Sequence, residues 1–157
     1  MNPLKILNEK EKKIVENKLH EQFEISEISE KIIMRGKEKM FLFSGSFNTS
    51  QIKKLEKTTL IERIGVYFAK IDERTEDIRL SIEGSQTLGS EIKKNIFEIN
   101  EDQTNEWMKG RELRIKTGKK GFLILKHKND FLGTGKASEE KIGNFIPKSR
   151  RLKERMN

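Results

Sequence analysis

The chain has 157 residues, 33% of them hydrophobic and 37% charged, enough for one ordinary domain or two small ones with a lean core. It has no cysteine and two histidines far apart in sequence, which excludes a disulfide scaffold, a thiolate-bound metal and a multi-histidine metal site. The net charge of +8 is uneven: residues 109–157 carry 15 Lys and Arg against 5 Asp and Glu, whereas residues 1–108 carry 18 against 20.

A basic excess confined to one stretch points to a polyanionic partner more than to general solubility. No apolar run approaches the roughly 20 residues that cross a bilayer. Leu4, Ile6 and Leu7 run at once into charge and do not form a signal-peptide core. The expectation is a soluble cytoplasmic protein without membrane association.

In chain order, Asn8 followed by Glu11 reads as a capping box. Ile14, Val15, Leu19 and Phe23 then recur at helical spacing, predicting a helix from Glu9 to Phe23. Residues 30–35 and 40–44 flank a turn at Gly36 as a β-hairpin. Ser50 is expected to cap a short helix to Lys57, carrying Ile52 and Leu55. Residues 60–71 read as a strand with Ile61, Ile64, Val66, Tyr67 and Phe68, and the turn DERTED leads to another strand at 78–82. Residues 84–92 read as a loop with room for one helical turn. This half is α+β.

The second half begins with a short strand at 93–99 containing Ile96, Phe97 and Ile99. A short helix starts at Asn100 or Asp102 and ends at Met108-Lys109, with Gly110 as its C-cap. Strands are expected at 111–117, 122–128 and 131–137, joined by turns at 118–121 and Asn129-Asp130. Many short strands with one helix among them predict a small mixed barrel. The fold class is therefore α+β in two domains, 1–92 and 93–157, the second with a basic tail.

Motifs for catalysis are absent or incomplete. GSQTLGS at 84–90 lacks the lysine of a phosphate loop, and Gly133-Thr134-Gly135 lacks the third glycine of a dinucleotide site. Asp72, Glu73, Glu76 and Asp77 read as a solvated turn, His127 as a surface or RNA-facing group, and Trp107 as an apolar anchor. The basic residues remain. Arg114 and Lys116 are expected to share one side of a strand, and Lys126 and Lys128 one side of another. Lys148, Arg150, Arg151, Lys153 and Arg155 form a basic tail.

The run EWMKGRELRIKTGKKGFLILKHKNDFLGTGKAS resembles the PUA domain, the RNA-binding module of pseudouridine synthases and archaeosine transglycosylases. The matching features are the helix ending in Met108-Lys109-Gly110, the strand after it, and the strands closing on Leu132-Gly133-Thr134-Gly135-Lys136-Ala137. The ending GNFIPKSRRLKE is similar to the PUA tails of Sun-family RNA cytosine methyltransferases. An α+β half followed by such a module is similar to small ribosome-biogenesis factors built from a pre-PUA and a PUA domain. The fold this implies is a pre-PUA-like domain and a PUA-type pseudobarrel.

The resemblance implies RNA binding without chemistry. It places Lys109, Gly110 and Arg111 near an RNA backbone, where a glycine lets the sugar-phosphate approach without a Cβ in the way. Arg114, Lys116, Lys126, Lys128, Lys136, Lys148, Arg150 and Arg151 complete the candidate contacts. The chain departs from the methyltransferases in having no cofactor-binding glycine motif and no cysteine to attack a pyrimidine. No catalytic residue, metal or cofactor is expected. The expected partner is structured rRNA or tRNA, with a ribosome-assembly or RNA-modification protein as a second partner. The alternative is a protein-interaction adaptor or an accessory subunit of an RNA-modifying enzyme.

Overall fold

The computed structural model describes residues 3–58 and 65–153. Ile61 and Ile64 of the expected strand, and Arg155 of the basic tail, lie outside the described residues. Two compact units divide the chain, Met1–Arg79 and Leu80–Asn157.

In the first unit a five-stranded sheet has the order β1 (Leu4–Ile6), β2 (Lys31–Arg35), β3 (Lys39–Phe43), β4 (Val66–Ile71) and β5 (Ile78–Leu80). Helix α1 spans Glu9–Phe23 and starts as its sequence requires: the Asn8 side chain accepts from the Glu11 N–H at 2.9 Å, and Glu11 accepts from the Asn8 N–H at 3.0 Å. Val15, Leu19 and Phe23, four apart, form its buried stripe. Ile33 and Phe41 face each other across β2 and β3 and join Leu4 and Ile52 in one cluster, so helix α2 (Thr49–Thr58) covers that side of the sheet. Ile32, Met40 and Leu42, the alternate residues, are also buried. At the sheet edge the Gln22 side chain donates to the Ile78 carbonyl (3.0 Å) and accepts from its N–H (2.6 Å), so it substitutes for a further strand.

Three local expectations change here. Strand β1 was not foreseen, because three residues carry too little pattern to be read. Helix α2 is capped by Asn48, which exchanges bonds with Gln51 at 2.9 Å each, and not by Ser50. The strand expected at 78–82 stops at Leu80, because the Ser81 hydroxyl accepts from the Gly84 N–H (2.9 Å) and opens helix α3 (Ile82–Thr87). GSQTLGS is thus a helix end followed by a 3-10 turn at Gly89–Glu91.

The second unit holds a mixed sheet of β6 (Ile96–Glu98), β7 (Gly121–His127), β8 (Asp130–Ala137) and β9 (Ile142–Asn144), in that order, with β6 parallel to β7 and the other pairs antiparallel. Helix α4 (Glu101–Met108) begins with a second capping box, Asn100 with Gln103. Its Trp107 is fully buried among Ile82, Ile99, Leu113, Leu125, Leu132, Ile142 and Ile146, and its indole N–H donates to the Leu132 carbonyl at 3.0 Å. The small-residue run in β8 makes room for that ring. A Cβ on Gly135 would lie 2.8 Å from Trp107 Cη2 and 3.0 Å from Leu125 Cδ2. Gly133 has φ +83° where the β7–β8 register shifts, a bulge position that favours glycine.

The units divide earlier than the joint expected at 92/93, and the reason lies in residues 80–92. Ile82 belongs to the Trp107 core. The Ser85 hydroxyl accepts from the Gly133 N–H (3.0 Å), and the Thr134 hydroxyl donates to the Leu80 carbonyl (2.9 Å). Divided at Arg79/Leu80, the second unit carries 17 Lys and Arg against 11 acids and the first 16 against 14, so the charge contrast is milder than sequence position suggests.

The strand expected at 111–117 is not formed. Only Leu113 pairs, exchanging bonds with Ile142 (3.1 and 2.8 Å), and the Ile115 N–H then turns back to the Leu113 carbonyl (3.0 Å), which ends the ladder. Its partner β9 was not foreseen. Two short helices, α3 and α4, accompany this sheet where one was expected.

Candidate nucleic-acid interface

Helix α4 ends in a Schellman motif: the Gly110 N–H donates to the Trp107 carbonyl (2.9 Å) and the Arg111 N–H to the Glu106 carbonyl (3.2 Å). Gly110 has φ +87°, a conformation costly for any residue with a Cβ. Arg111 and Glu106 stand at the positions where this motif usually makes an apolar contact. Here they make an ion pair, with Arg111 Nη1 at 2.7 and 3.0 Å from the two carboxylate oxygens. The guanidinium holds the Glu106 carboxyl below the ordinary carboxylate range.

The chain returns to this corner after β9. Asn144 donates from Nδ2 to the carbonyls of Trp107 (2.8 Å) and Arg111 (3.0 Å), while its Oδ1 accepts from the Ile146 N–H (2.7 Å). The Leu152 N–H donates to the Met108 carbonyl at 2.7 Å. Arg151 Nε donates to the Ile146 carbonyl at 2.9 Å, and the same side chain fills the space where a Cβ on residue 110 would stand. Arg150 pairs with Glu83. The bare glycine thus accommodates a side chain of the same chain.

The expected contacts fall into three groups. Lys109, Gly110, Arg111 and Arg151 gather at the α4 corner, where the tail crosses it, while Lys148 and Arg150 stand on the 3-10 turn just before Arg151 and Arg150 reaches Glu83. Arg114 follows the Leu113–Ile142 bridge, and Lys136 precedes Ala137, which pairs with Ile142 and with Gly121. These two, with Lys116, Lys119 and Lys120 on the segment leading into Gly121, occupy one end of the sheet. Lys126 and Lys128 lie toward the opposite end, four and six positions from Phe122, the partner of Lys136, or roughly 13 and 20 Å away at about 3.3 Å per strand residue. They do not share a strand face: Lys128 is in the hairpin loop with φ +54°, and Lys126 holds its ammonium 5.2 Å from the Phe131 ring centroid.

Charge pairing separates these residues further. Arg111 and Arg150 are in ion pairs, as is Lys141 with Glu112 at 2.7 Å, which lowers the Glu112 carboxyl in turn. Lys109, Arg114, Lys116, Lys128, Lys136 and Lys148 are in no ion pair among the described residues. Of these, all but Lys109 are exposed.

His127 Nδ1 lies 2.9 Å from the Ile99 carbonyl, which can only accept, so Nδ1 carries the proton and the ring braces β7 against the start of α4. The DERTED turn is organised by its own bonds, with Asp72 accepting from the Arg74 and Thr75 N–H groups and Asp77 pairing with Lys18 at 3.0 Å. Among the described residues no group of three or more His, Cys, Asp or Glu could hold a metal ion, and no helix is long and apolar enough to cross a membrane. Sequence reasoning missed Asn144, whose role depends on a strand too short to read, and Phe145, an exposed aromatic after it.

Residues 94–152 match the family described as the methyltransferase RsmF PUA domain. Over 146 residues, 93% of the chain, it is also 23% identical to the ribosomal RNA small subunit methyltransferases F of Vibrio vulnificus strains YJ016 and CMCP6. That similarity reaches into the first unit. The chain spans 29% of the length of these curated relatives. The segment matched to the family lies within the second unit and resembles the PUA tails of Sun-family methyltransferases.

Proposed function

We propose that the chain binds structured rRNA or tRNA in the cytoplasm through the basic positions of its second unit, without chemistry of its own, in ribosome biogenesis or RNA modification. The observation that carries this reading is the match of residues 94–152 to the PUA domain of an rRNA methyltransferase. The exposed, unneutralised Arg114, Lys116 and Lys136 at one end of that unit's sheet support it. Lysine and arginine in such a setting bind phosphates and fix register, and A-form RNA is recognised mainly through shape and backbone. The first unit would orient the RNA or dock a protein.

Similarity to rRNA methyltransferases favours a second reading, an adaptor or accessory subunit of an RNA-modifying enzyme. Crosslinking in the native cell, followed by sequencing of the attached RNA, tests the first reading. Recovery of defined rRNA or tRNA positions is expected. Recovery of protein adducts alone favours the second.

A further inference from the structure

In the second unit, residues 113–121 run from the isolated bridge beside β9 to the start of β7, and so cross the end of the sheet where β8 turns into β9. Two limbs meet at Gly118. The first is anchored by Leu113, bonded to Ile142, and by Ile115, packed against the Trp107 core, while the alternate residues Arg114 and Lys116 are exposed. The second carries the exposed Lys119 and Lys120 into Gly121, which pairs with Ala137 of β8. The Thr117 hydroxyl accepts from the Lys119 N–H at 3.0 Å and closes the turn between them. Gly118 has φ +74°, and a Cβ there would meet nothing within 4 Å, so the turn stands clear of the rest of the unit. None of the four cations is in an ion pair among the described residues, and Glu112, which feels Arg114, is held by Lys141 at 2.7 Å. Glu139 and Glu140 are exposed in the β8–β9 turn that the segment crosses. No aromatic residue lies between Gly110 and Gly121.

We propose that this turn is a ridge that seats at the mouth of the major groove of an A-form RNA double helix, with Arg114 and Lys116 on the phosphates of one strand and Lys119 and Lys120 on those of the other. The inference rests on the RNA-binding reading above and adds to it the class of RNA, a continuous duplex. Lys116 and Lys119 are three residues apart, so their Cα atoms stand at most about 11 Å from each other, and the closed turn brings them nearer. Cations on both flanks of so narrow a ridge call for two lines of phosphate close together. The major groove of A-form RNA is deep and narrow and supplies them, whereas that of B-form DNA is about 12 Å wide and admits a whole helix. A single strand offers one line of phosphate and engages one limb. Without an aromatic ring the ridge cannot stack on an unpaired base, and its lysines and arginine position the backbone without reading sequence. Glu139 and Glu140 repel phosphates from the crossed turn and keep the duplex on the ridge.

The test uses the full chain and three probes of one sequence: an RNA duplex, the RNA single strand and the DNA duplex. Wild-type protein is expected to bind the RNA duplex about tenfold more tightly than either of the others, the scale of one or two further phosphate contacts. Lys119→Gln combined with Lys120→Gln, both exposed and outside the core, should weaken the RNA duplex about tenfold and leave the single strand as it was, which removes the preference. The same charge change in Lys126→Gln combined with Lys128→Gln, toward the other end of β7, should leave the preference intact. A wild type indifferent to the form of the nucleic acid, a Lys119 and Lys120 variant that keeps the preference, or a Lys126 and Lys128 variant that loses it overturns the ridge and leaves RNA binding standing. A wild type that binds neither RNA probe overturns the RNA reading itself.

Discussion

The guanidinium of Arg151 sits over Gly110, where any Cβ would overlap it. Forty residues of chain thus close on one glycine, and the end of α4 is shaped by the tail as much as by its own Schellman bonds. Gly110→Ala must adopt a left-handed conformation and displace Arg151. The expected loss is about 1–2 kcal/mol of unfolding free energy in urea. Combined with Arg151→Ala, the two losses should add up to less than their sum, because the clash is then gone. Strict additivity would show that the pair does not interact.

Gly135→Val places two methyl groups among Trp107, Leu125 and Ile142. Overpacking of this kind costs roughly 1–3 kcal/mol. The protein's single Trp reports directly on this site, so its fluorescence maximum should shift to the red in the variant. An unchanged maximum with unchanged stability would contradict the packing described.

Helix α1 was legible because its signals are local: Asn8 and Glu11 meet within one turn, and Val15, Leu19 and Phe23 fall on one stripe. Helix α4 and its glycine stop were legible for the same reason. The alternation of 111–117 was misleading. Leu113 is buried and Arg114 exposed as a strand pattern requires, but a strand also needs a partner, and only Ile142 supplies one. Residues 80–92 were assigned to the first domain because nothing in their composition reveals that Ser85 and Leu80 bond to β8 residues about fifty positions away. The charge excess after residue 109 was plain, but which of those charges Glu83, Glu106 and Glu112 neutralise depends on tertiary contacts.

Fragments test the division of the chain. A fragment 80–157 should unfold cooperatively, whereas 93–157 loses Ile82 from the core and leaves the Gly133 N–H without the Ser85 hydroxyl. An unpartnered buried N–H alone costs about 1–3 kcal/mol. Equal stability of the two fragments in thermal unfolding followed by circular dichroism would contradict the boundary at Arg79/Leu80.

The Glu106–Arg111 pair predicts a pH dependence. The folded-state pKa of Glu106 is depressed by Arg111, so its contribution is present above the unfolded carboxylate pKa and is lost as pH falls through the folded value. In an NMR titration Glu106 should protonate below the ordinary carboxylate range, and Arg111→Ala should return it to that range. A normal Glu106 titration in the wild type would show that the cap carries no ion pair in solution.

RNA affinity as a function of salt tests the central claim most directly. With on the order of 4–6 phosphate contacts, log affinity should fall linearly with log salt with a slope of about −3 to −4. Reversing Arg114 and Lys116 to Glu should weaken every RNA by a similar factor and make the slope shallower. The same charge change at Lys10 and Lys13, exposed on α1, should leave the slope unchanged. A flat salt response, or a slope that the α1 variant alters and the Arg114 and Lys116 variant does not, would contradict RNA binding through the second unit.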